Sequence, residues 1–530
     1  MFYRVQNIKL PLSYSEALLQ TAAARKLNVS EKQIKNVRIY RRSLDARRGK
    51  LAYVFSLDVY LKENRILRTA PDVIFFEKEE TYSIPRFSPR TLRPVVVGFG
   101  PAGMFTALLL ARSGLCPLVL ERGRKVEERQ RDVNRFFATG VLDPSSNVQF
   151  GEGGAGTFSD GKLNTLLKDK NHRGRFVLSE MVKAGAPEEI LYLAKPHVGT
   201  DQLREVVKNL REEILSLGGE IRFETRLSDL SIRSGVLTGV FAEKGGVQEE
   251  IPCDTLFLAP GHSARDTFEM LRARGIAMEK KPFSVGVRIE HPQSFINSVQ
   301  YSGANDPQLP PADYKMSCLT SSGKRLYTFC MCPGGTVVPA ASEEGGVVTN
   351  GMSSFLRDGK NANSALLFSV SPEELPADLF SGIHFQMELE KKAYLAGGGE
   401  YRAPAQLVGD FLKGEKSVSA RLVQPSYARG VTFTDLSAVF SEKEILLLRE
   451  GILGMDAALP GFASPDAVLT AVESRSTSPV RILRGEDYSS SLPGLYPVGE
   501  GAGFAGGILS AAMDGMKCAD AYFEKLKESQ

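Results

Sequence analysis

Short apolar runs without alternation punctuate the chain, and each is closed by glycine or proline. Val95–Val97, Leu118–Leu120 and Thr255–Ala259 are of this kind, which predicts strands buried on both faces. Elsewhere the period changes. Within Leu51–Leu61 the residues Tyr53, Phe55, Leu57 and Val59 alternate with polar neighbours, and Phe283–His291 does the same through Ser284–Glu290. Both predict strands, as do Tyr3–Leu10, Val37–Arg41, Arg325–Cys332, Thr336–Pro339, Gly346–Asn350 and Gly494–Val498. Helical spacing marks Ser15–Lys26, with Ser15 as N-cap and Ala17, Leu18, Ala22 and Leu27 on one face. It also marks Lys125–Phe137, Gln202–Leu217 with Thr200 or Asp201 as cap, Gly382–Ala396, Ala405–Leu412, Lys443–Met455 and Ile508–Lys525. Gly219–Thr225 and Val236–Ala242 predict a β-meander.

The order of these elements divides the chain. Residues 1–90 hold a small α+β module, and 78–93, with Pro85 and Pro89, predict a linker. Residues 91–262 alternate strand and helix, and 486–530 return to that pattern after a long α+β segment at 263–485. The expected architecture is α/β: a Rossmann-like domain, an inserted α+β substrate or cap domain, and the N-terminal module.

Two glycine corners carry the chemistry. After Val95–Val97 comes Gly98-Phe-Gly100-Pro101-Ala102-Gly103, a G-x-G-x-x-G turn ahead of the helix expected from Thr106. The first glycine permits the turn, the second lets a pyrophosphate approach the backbone, and the third lets helix and strand pack closely. Glu121 ends the next strand, where a carboxylate can accept from ribose hydroxyls, and Arg122 follows it. The alternative, a ligand-free βα turn, lacks a reason for the acid. The second corner is Gly499-Glu500 with Gly506, Gly507 and Ile508 opening the last helix. Between them, residues 147–165 include Gly153, Gly154, Gly156, Thr157 and Ser159, which predicts backbone wrapped around a flat or anionic ligand. Gly261 sits in a third glycine turn. A transmembrane reading of the uncharged run 94–111 fails, because Gly-Phe-Gly-Pro would break the span near its start.

Composition narrows the class. At 530 residues, 42% apolar and 24% charged, the chain suits a large globular core. The 66 basic and 62 acidic residues give a net +4, too small an excess to imply nucleic acid. The run Arg41-Arg42-Ser43-Leu44-Asp45-Ala46-Arg47-Arg48-Gly49-Lys50 reads as a solvated hairpin end, or else as a contact for RNA or an acidic partner. The six cysteines form no C-x-x-C pair, which argues against a zinc ribbon or a thioredoxin motif. No metal-ligand spacing is visible. The N-terminus lacks the apolar core of a signal peptide, so a cytoplasmic setting is expected; the oligomeric state is left open.

With Gly98, Gly100, Gly103 and Glu121 at one end and Gly499, Glu500 and the 508–525 helix at the other, the chain resembles glutathione-reductase-type two-domain flavoproteins. Val148–Leu163, Phe329–Gly335, Asn350–Ser353 and Val472–Arg481 extend the likeness over nearly the whole chain. They resemble the uncharacterised bacterial FAD-dependent dehydrogenases, also called NAD- or FAD-utilising dehydrogenases. The resemblance implies FAD on the first βαβ unit, with the ribityl chain at Glu500. It also implies a cytoplasmic FAD oxidoreductase moving two electrons between a small organic substrate and a second partner. No second G-x-G-x-x-G forms a βαβ unit, so NAD(P)H stays an open partner. The alternative is a flavin-containing factor that binds or modifies RNA or protein through the basic module.

Flavin chemistry asks little of the protein. Cys330 and Cys332 alternate on a predicted strand, so both thiols are expected on one face, as redox or substrate-contacting groups or as small core residues. His262, like His197 and His291, is a candidate proton donor or a structural histidine. Arg475 and Arg288 are candidates for an anionic substrate or for structural salt bridges.

Overall fold

The computed structural model describes residues 1–47, 51–63, 66–67, 71–165, 167 and 169–528. At its centre is a five-stranded parallel sheet with the spatial order Leu495–Pro497, Leu256–Leu258, Val95–Val97, Leu118–Leu120, Glu220–Arg222. Four of these strands are buried along their length, as unbroken apolar runs require. On one face, Val96, Val119, Phe257 and Tyr496 pack under the helices Pro101–Arg112 and Ile508–Glu528. On the other, Val95, Val97, Leu118 and Leu120 pack against an antiparallel meander, Arg226–Arg233, Val236–Lys244 and Val247–Pro252. The sandwich is tight where side chains are missing. A Cβ on Gly103 would stand 1.9 Å from Gly98 O, and one on Gly515 would stand 2.3 Å from Ala102 O.

The insertion is built on a mixed seven-stranded sheet. Its order is Ser317–Leu319, Arg325–Cys332, Asn361–Val370, Phe283–Pro292, Val468–Glu473, Ala403–Leu407, Val431–Phe433. The N-terminal module is a four-stranded antiparallel sheet carrying the helix Glu16–Leu27, whose Ser15 Oγ accepts from Leu18 N at 3.3 Å.

Several expectations need correction. Residues 219–225 do not join the meander: Glu220–Arg222 is the edge strand of the parallel sheet, paired with Leu118–Leu120. Its charged ends suit an edge that faces water. Ala405–Leu412 is not one helix. Ala403–Leu407 pairs antiparallel with Val468–Glu473, and only Val408–Lys413 is helical. The helix Gly199–Ser216 is not capped by Thr200 or Asp201. Thr200 Oγ1 donates to Thr157 O at 2.7 Å and Asp201 Oδ1 accepts from Phe355 N at 2.8 Å, so both tie the helix start to other loops.

Two arginines of the basic run have partners within the protein. Arg42 donates to Tyr14 Oη at 2.9 Å, lies over Tyr53 and Tyr192, and its backbone bridges to Tyr192 and Ala194. Arg47 pairs with Asp45 at 2.8 Å; Arg48, Gly49 and Lys50 lie outside the described residues. Among the described residues no helix is long and apolar enough to cross a membrane.

The expected linker is a strap packed on the Rossmann-like domain. Tyr82 Oη donates to Asp520 Oδ1 at 2.5 Å, Arg90 pairs with Asp254 at 2.6 Å, and the Phe87 ring lies 5.4 Å from Phe523. Phe87→Ala should therefore destabilise the protein by about 2 kcal/mol, roughly half the full-core value because Phe87 is half-buried. Denaturant unfolding measures it; a change below the experimental error would mean the strap is not part of the fold.

Candidate functional site

A cavity of about 680 Å³ runs between the carboxyl edge of the parallel sheet and the cap sheet. This edge is where ligands of doubly wound folds bind. Gly98, Gly100, Pro101 and Ala102 form one end. Gly98 is in the left-handed region at φ 88°, and a Cβ there would lie 2.1 Å from Ala259 O. Gly100 is the N-cap of Pro101–Arg112, so the first-turn amides lack intrahelical acceptors and face the cavity end. Gly103 does not line the cavity; its role is the contact with Gly98.

Glu121 differs from expectation. It borders the cavity at 4% exposure, but Oε2 accepts from Phe99 N at 2.7 Å and Oε1 accepts from Gly123 N at 2.9 Å and Gly151 N at 3.1 Å. Three of about four lone-pair positions are therefore taken by backbone. Capacity for one hydroxyl is left, not for two. Arg122 points toward Asp266 at 2.9 Å, with its guanidinium 4.3 Å from the Phe150 ring.

The glycine-rich loop closes on this corner. A Cβ on Gly154 would be 3.0 Å from Gly100 Cα, and one on Gly156 would be 2.9 Å from Ile508 Cγ1. The loop thus joins the first corner to the last helix. Gly154, Gly156 and Ser159 line the cavity. Gly153 and Thr157 do not; they pack against each other behind the loop, since a Cβ on Gly153 would meet Thr157 Oγ1 at 2.0 Å. The loop's support carried no motif. Arg129 is fully buried and donates to the carbonyls of Asn147 (2.8 Å), Val148 (3.0 Å), Glu152 (2.6 Å) and Gly154 (3.0 Å). Burial, opposed by Glu121 and Glu152, lowers its pKa to about 10.

At the C-terminal corner, Glu500, Gly506, Gly507 and Ile508 line the cavity beside Gly261. Gly499 does not; it packs under Ala102 and its N–H goes to Asp514 Oδ2 at 2.8 Å. The Glu500 carboxylate accepts no hydrogen bond from the described residues. Burial pushes its pKa up to about 7, with Lys281 opposing and Cys330 adding to the rise.

The cap supplies the opposite wall, including Tyr327, Cys330, Met331 and Asn350. The strand Arg325–Cys332 carries a bulge between Phe329 and Cys332, and Cys330 sits in the left-handed region at φ 42°. The regular alternation expected for Cys330 and Cys332 is therefore broken: Cys330 faces the cavity and Cys332 is buried behind it. Cys332 Sγ donates to Cys330 O at 3.3 Å. Interaction with the Cys332 side chain, with Lys162 and Arg288 nearby and burial opposing, lowers the Cys330 pKa and raises that of Cys332. Lys162 pairs with Asp160 at 3.0 Å and donates to Met331 O. Burial works against its charge, but Asp160 more than restores it, so its pKa stands above the ordinary value.

For two arginines the contacts are those of the structural salt-bridge alternative. Arg475 borders the cavity, yet its fork is taken by Glu390 at 2.9 and 2.8 Å, with Nη1 on Ser342 Oγ at 2.5 Å, so no bidentate face is left for a substrate. Arg288 is equally committed, to Glu473 at 2.9 and 2.8 Å. His262 does line the cavity, but burial and the nearby Arg475 and Arg265 lower its pKa to about 3. Its ring is hydrogen-bonded to Ser263 Oγ at 2.9 Å, and the lowered pKa disfavours its cationic form. His197 and His291 lie outside the cavity lining, bonded to Phe355 O at 2.9 Å and Phe462 O at 2.8 Å.

The fold and site define a Rossmann-like α/β protein with a cap over one large cavity. Residues 282–476 match the model of a FAD-dependent protein, C-terminal domain-like, and residues 3–60 match a domain of unknown function, DUF8436. A Clostridium beijerinckii protein named only as uncharacterised is 47% identical over 534 residues, covering 99% of each chain; this chain belongs to its family. Among solved structures, a triple mutant of the flavin-dependent brominase Bmp2 aligns over 82% of this chain and 81% of its own, at 12% identity and TM-score 0.38. The FAD-complexed glycerol-3-phosphate dehydrogenase of Bacillus halodurans aligns over 83% and 65%, at 12% identity and TM-score 0.33. Likeness at that level says nothing of the reaction.

The match at 282–476 supports FAD as the ligand, and the cavity fits it. There is backbone-only space at Gly98–Gly100 and Gly154, a helix N-terminus at one end, and a carboxylate without a hydrogen-bond donor at the other.

Two outcomes follow from this geometry. Gly103→Val should unfold the protein, because its Cβ meets backbone oxygen. Gly100→Val should fold, because its Cβ has 3.6 Å to Gly154 Cα, yet lose FAD by about a hundredfold or more. Thermal melts and FAD fluorescence titration separate the two; retained FAD affinity in Gly100→Val would remove the pyrophosphate from this corner. For Glu500, the folded pKa of about 7 lies above the ordinary 4.5. The folded chain therefore holds an extra proton between those values, and this group's contribution to stability falls as pH rises across them. In flavin-free protein, Glu500→Gln should raise the melting temperature more at about pH 8 than at about pH 5. An equal shift at both pH values would contradict the buried carboxyl.

Proposed function

We propose that the protein is an FAD-dependent oxidoreductase moving two electrons between a small organic substrate and a second partner, with NAD(P)H one candidate. The observation that carries this reading is the convergence of both glycine corners on one cavity, with Glu500 presented to it and a cap wall opposite. In this reading the amides of Gly100 and Ala102 hold the pyrophosphate. Glu121 offers its remaining lone pair to a ribose hydroxyl, and Glu500 accepts from the ribityl chain. Gly506 and Gly507 leave open space before the amides that begin Ile508–Glu528, and those amides favour negative charge on a neighbouring ring. When bound, FAD supplies the two-electron chemistry. The chain's own residues bind, orient and exclude water.

The cap sheet is mostly antiparallel and builds no second dinucleotide unit among the described residues. A nicotinamide partner would therefore have to enter by the same cavity. The full-length protein should purify yellow with non-covalent FAD, and anaerobic addition of NADH or NADPH followed at the flavin absorbance band tests the partner. Bleaching by either names the donor. Persistent yellow with both moves the donor role to another class of reductant. A colourless protein that does not take up added FAD overturns the reading.

A further inference from the structure

Two cysteines lie one residue apart on the cap wall, and three observations set them apart from ordinary core thiols. The first is the backbone. On a regular strand, residues i and i+2 stand roughly 6.6 Å apart at Cα, near the upper limit for a disulfide. Here the pairing slips between Phe329–Ala365 and Cys332–Asn363, and Cys330 takes a left-handed conformation at φ 42°. The bulge turns the Cys330 side chain to the cavity, while Cys332 Sγ donates to Cys330 O at 3.3 Å. A left-handed non-glycine residue is costly and persists only where its surroundings hold it.

The second observation is what holds it. Arg288 Nη1 donates to Cys330 O at 3.1 Å, and Lys162 Nζ donates to Met331 O. Two cations thus grip the bulge from either side. They also favour a thiolate at Cys330, in line with its lowered pKa. The third is location. Cys330 and Glu500 line the same cavity, and the charge of Cys330 is felt at Glu500. The remaining cysteines, Cys116, Cys253, Cys318 and Cys518, are not among the lining residues.

We propose that Cys330 and Cys332 form a dithiol–disulfide pair that exchanges two electrons with the bound flavin. The proposal rests on the FAD reading above and gives the second electron partner a place inside the protein. In the oxidising direction the Cys332 S–H bond breaks and one S–S bond forms between its sulfur and the Cys330 thiolate. The two electrons and the one proton released pass to oxidised flavin, giving its anionic reduced form. In the reverse direction the disulfide is reduced and the flavin reoxidised. Cys330 is the sulfur that exchanges with the cavity, and Cys332 is the resolving sulfur behind it.

The experiment has two arms on the full-length protein, comparing wild type with Cys330→Ser and Cys332→Ser. In the first arm, diamide treatment is followed by denaturation, iodoacetamide and peptide mass spectrometry. The wild-type peptide spanning 330–332 should appear two hydrogens lighter and unalkylated until reduced, while Cys116, Cys253, Cys318 and Cys518 alkylate throughout. In either variant the remaining thiol should alkylate. This arm needs no flavin, so it reads the pair even if the FAD reading fails. In the second arm, anaerobic dithionite titration of the diamide-oxidised holoprotein, freed of diamide, should consume four electrons per FAD in wild type and two in Cys330→Ser. Cys330 is half-exposed to the cavity, so the Cys330→Ser variant, checked by FAD content, guards against a folding artefact at Cys332. Full alkylation of wild type after diamide overturns the proposal. So does a disulfide that leaves uptake at two electrons per FAD, because exchange with flavin is what is claimed.

Discussion

The Glu121 carboxylate is the constraint on which the site depends. It is nearly dry, and it accepts backbone N–H bonds from three segments at once: the turn at Phe99, the strand exit at Gly123 and the glycine-rich loop at Gly151. Charge-assisted bonds of this kind each contribute on the order of 1.5–3 kcal/mol. Losing the acceptor would also leave three buried donors unmatched. The carboxylate therefore does more to hold the walls of the cavity in register than to touch a ligand. Its position at the end of Leu118–Leu120 places that clamp at the sheet edge where the first helix begins.

A second layer of buried charge fixes the walls from behind. Arg129 is solvated entirely by loop carbonyls and by the Phe158 ring, 4.7 Å from its guanidinium. Such a group has no carboxylate partner to satisfy, so its five donors act as a template for the loop. Across the cavity, Glu390 takes Arg475 at 2.8 Å and Arg265, at the start of the helix Arg265–Ala273, at 3.1 Å. Removing one member would strand a buried charge, which is far more damaging than the modest net value of the intact pairs suggests.

Legibility followed the range of the interactions. The glycine turn, the Ser15 cap and the last helix are local, so spacing alone reveals them. The fates of Arg475 and Arg288 depend on carboxylates 85 and 185 positions away, and no local pattern separates a free guanidinium from a paired one. The same holds for Glu121, whose third partner is Gly151, and for Arg129, which sits in an ordinary polar helix. Asn361–Val370 showed no alternation because nearly all of it is buried; its polar members are satisfied inside the sheet, as where Asn363 Oδ1 takes Arg288 Nη1 at 2.9 Å. The bulge at Cys330 is invisible too, since an extra residue in one strand is defined only against its partner.

These commitments narrow what the cavity can recognise. The guanidiniums that a substrate carboxylate would seek are held by Glu473 and Glu390, and Lys195 is held by Asp313 at 2.7 Å. Lys162 is neutralised by Asp160. What faces the open volume on the cap side includes the neutral side chains of Tyr327, Thr328 and Asn350, with Cys330 and the exposed Lys315 as ionisable groups. Selection at such a wall rests on shape and on neutral hydrogen bonds, which reject a ligand mainly by leaving buried polar groups unmatched. Charge is instead concentrated where the two domains meet, at Glu500, Lys281 and Cys330. There the groups act on one another: Lys281 opposes the rise that burial gives the Glu500 pKa, and Glu500 opposes the fall that burial gives the Lys281 pKa.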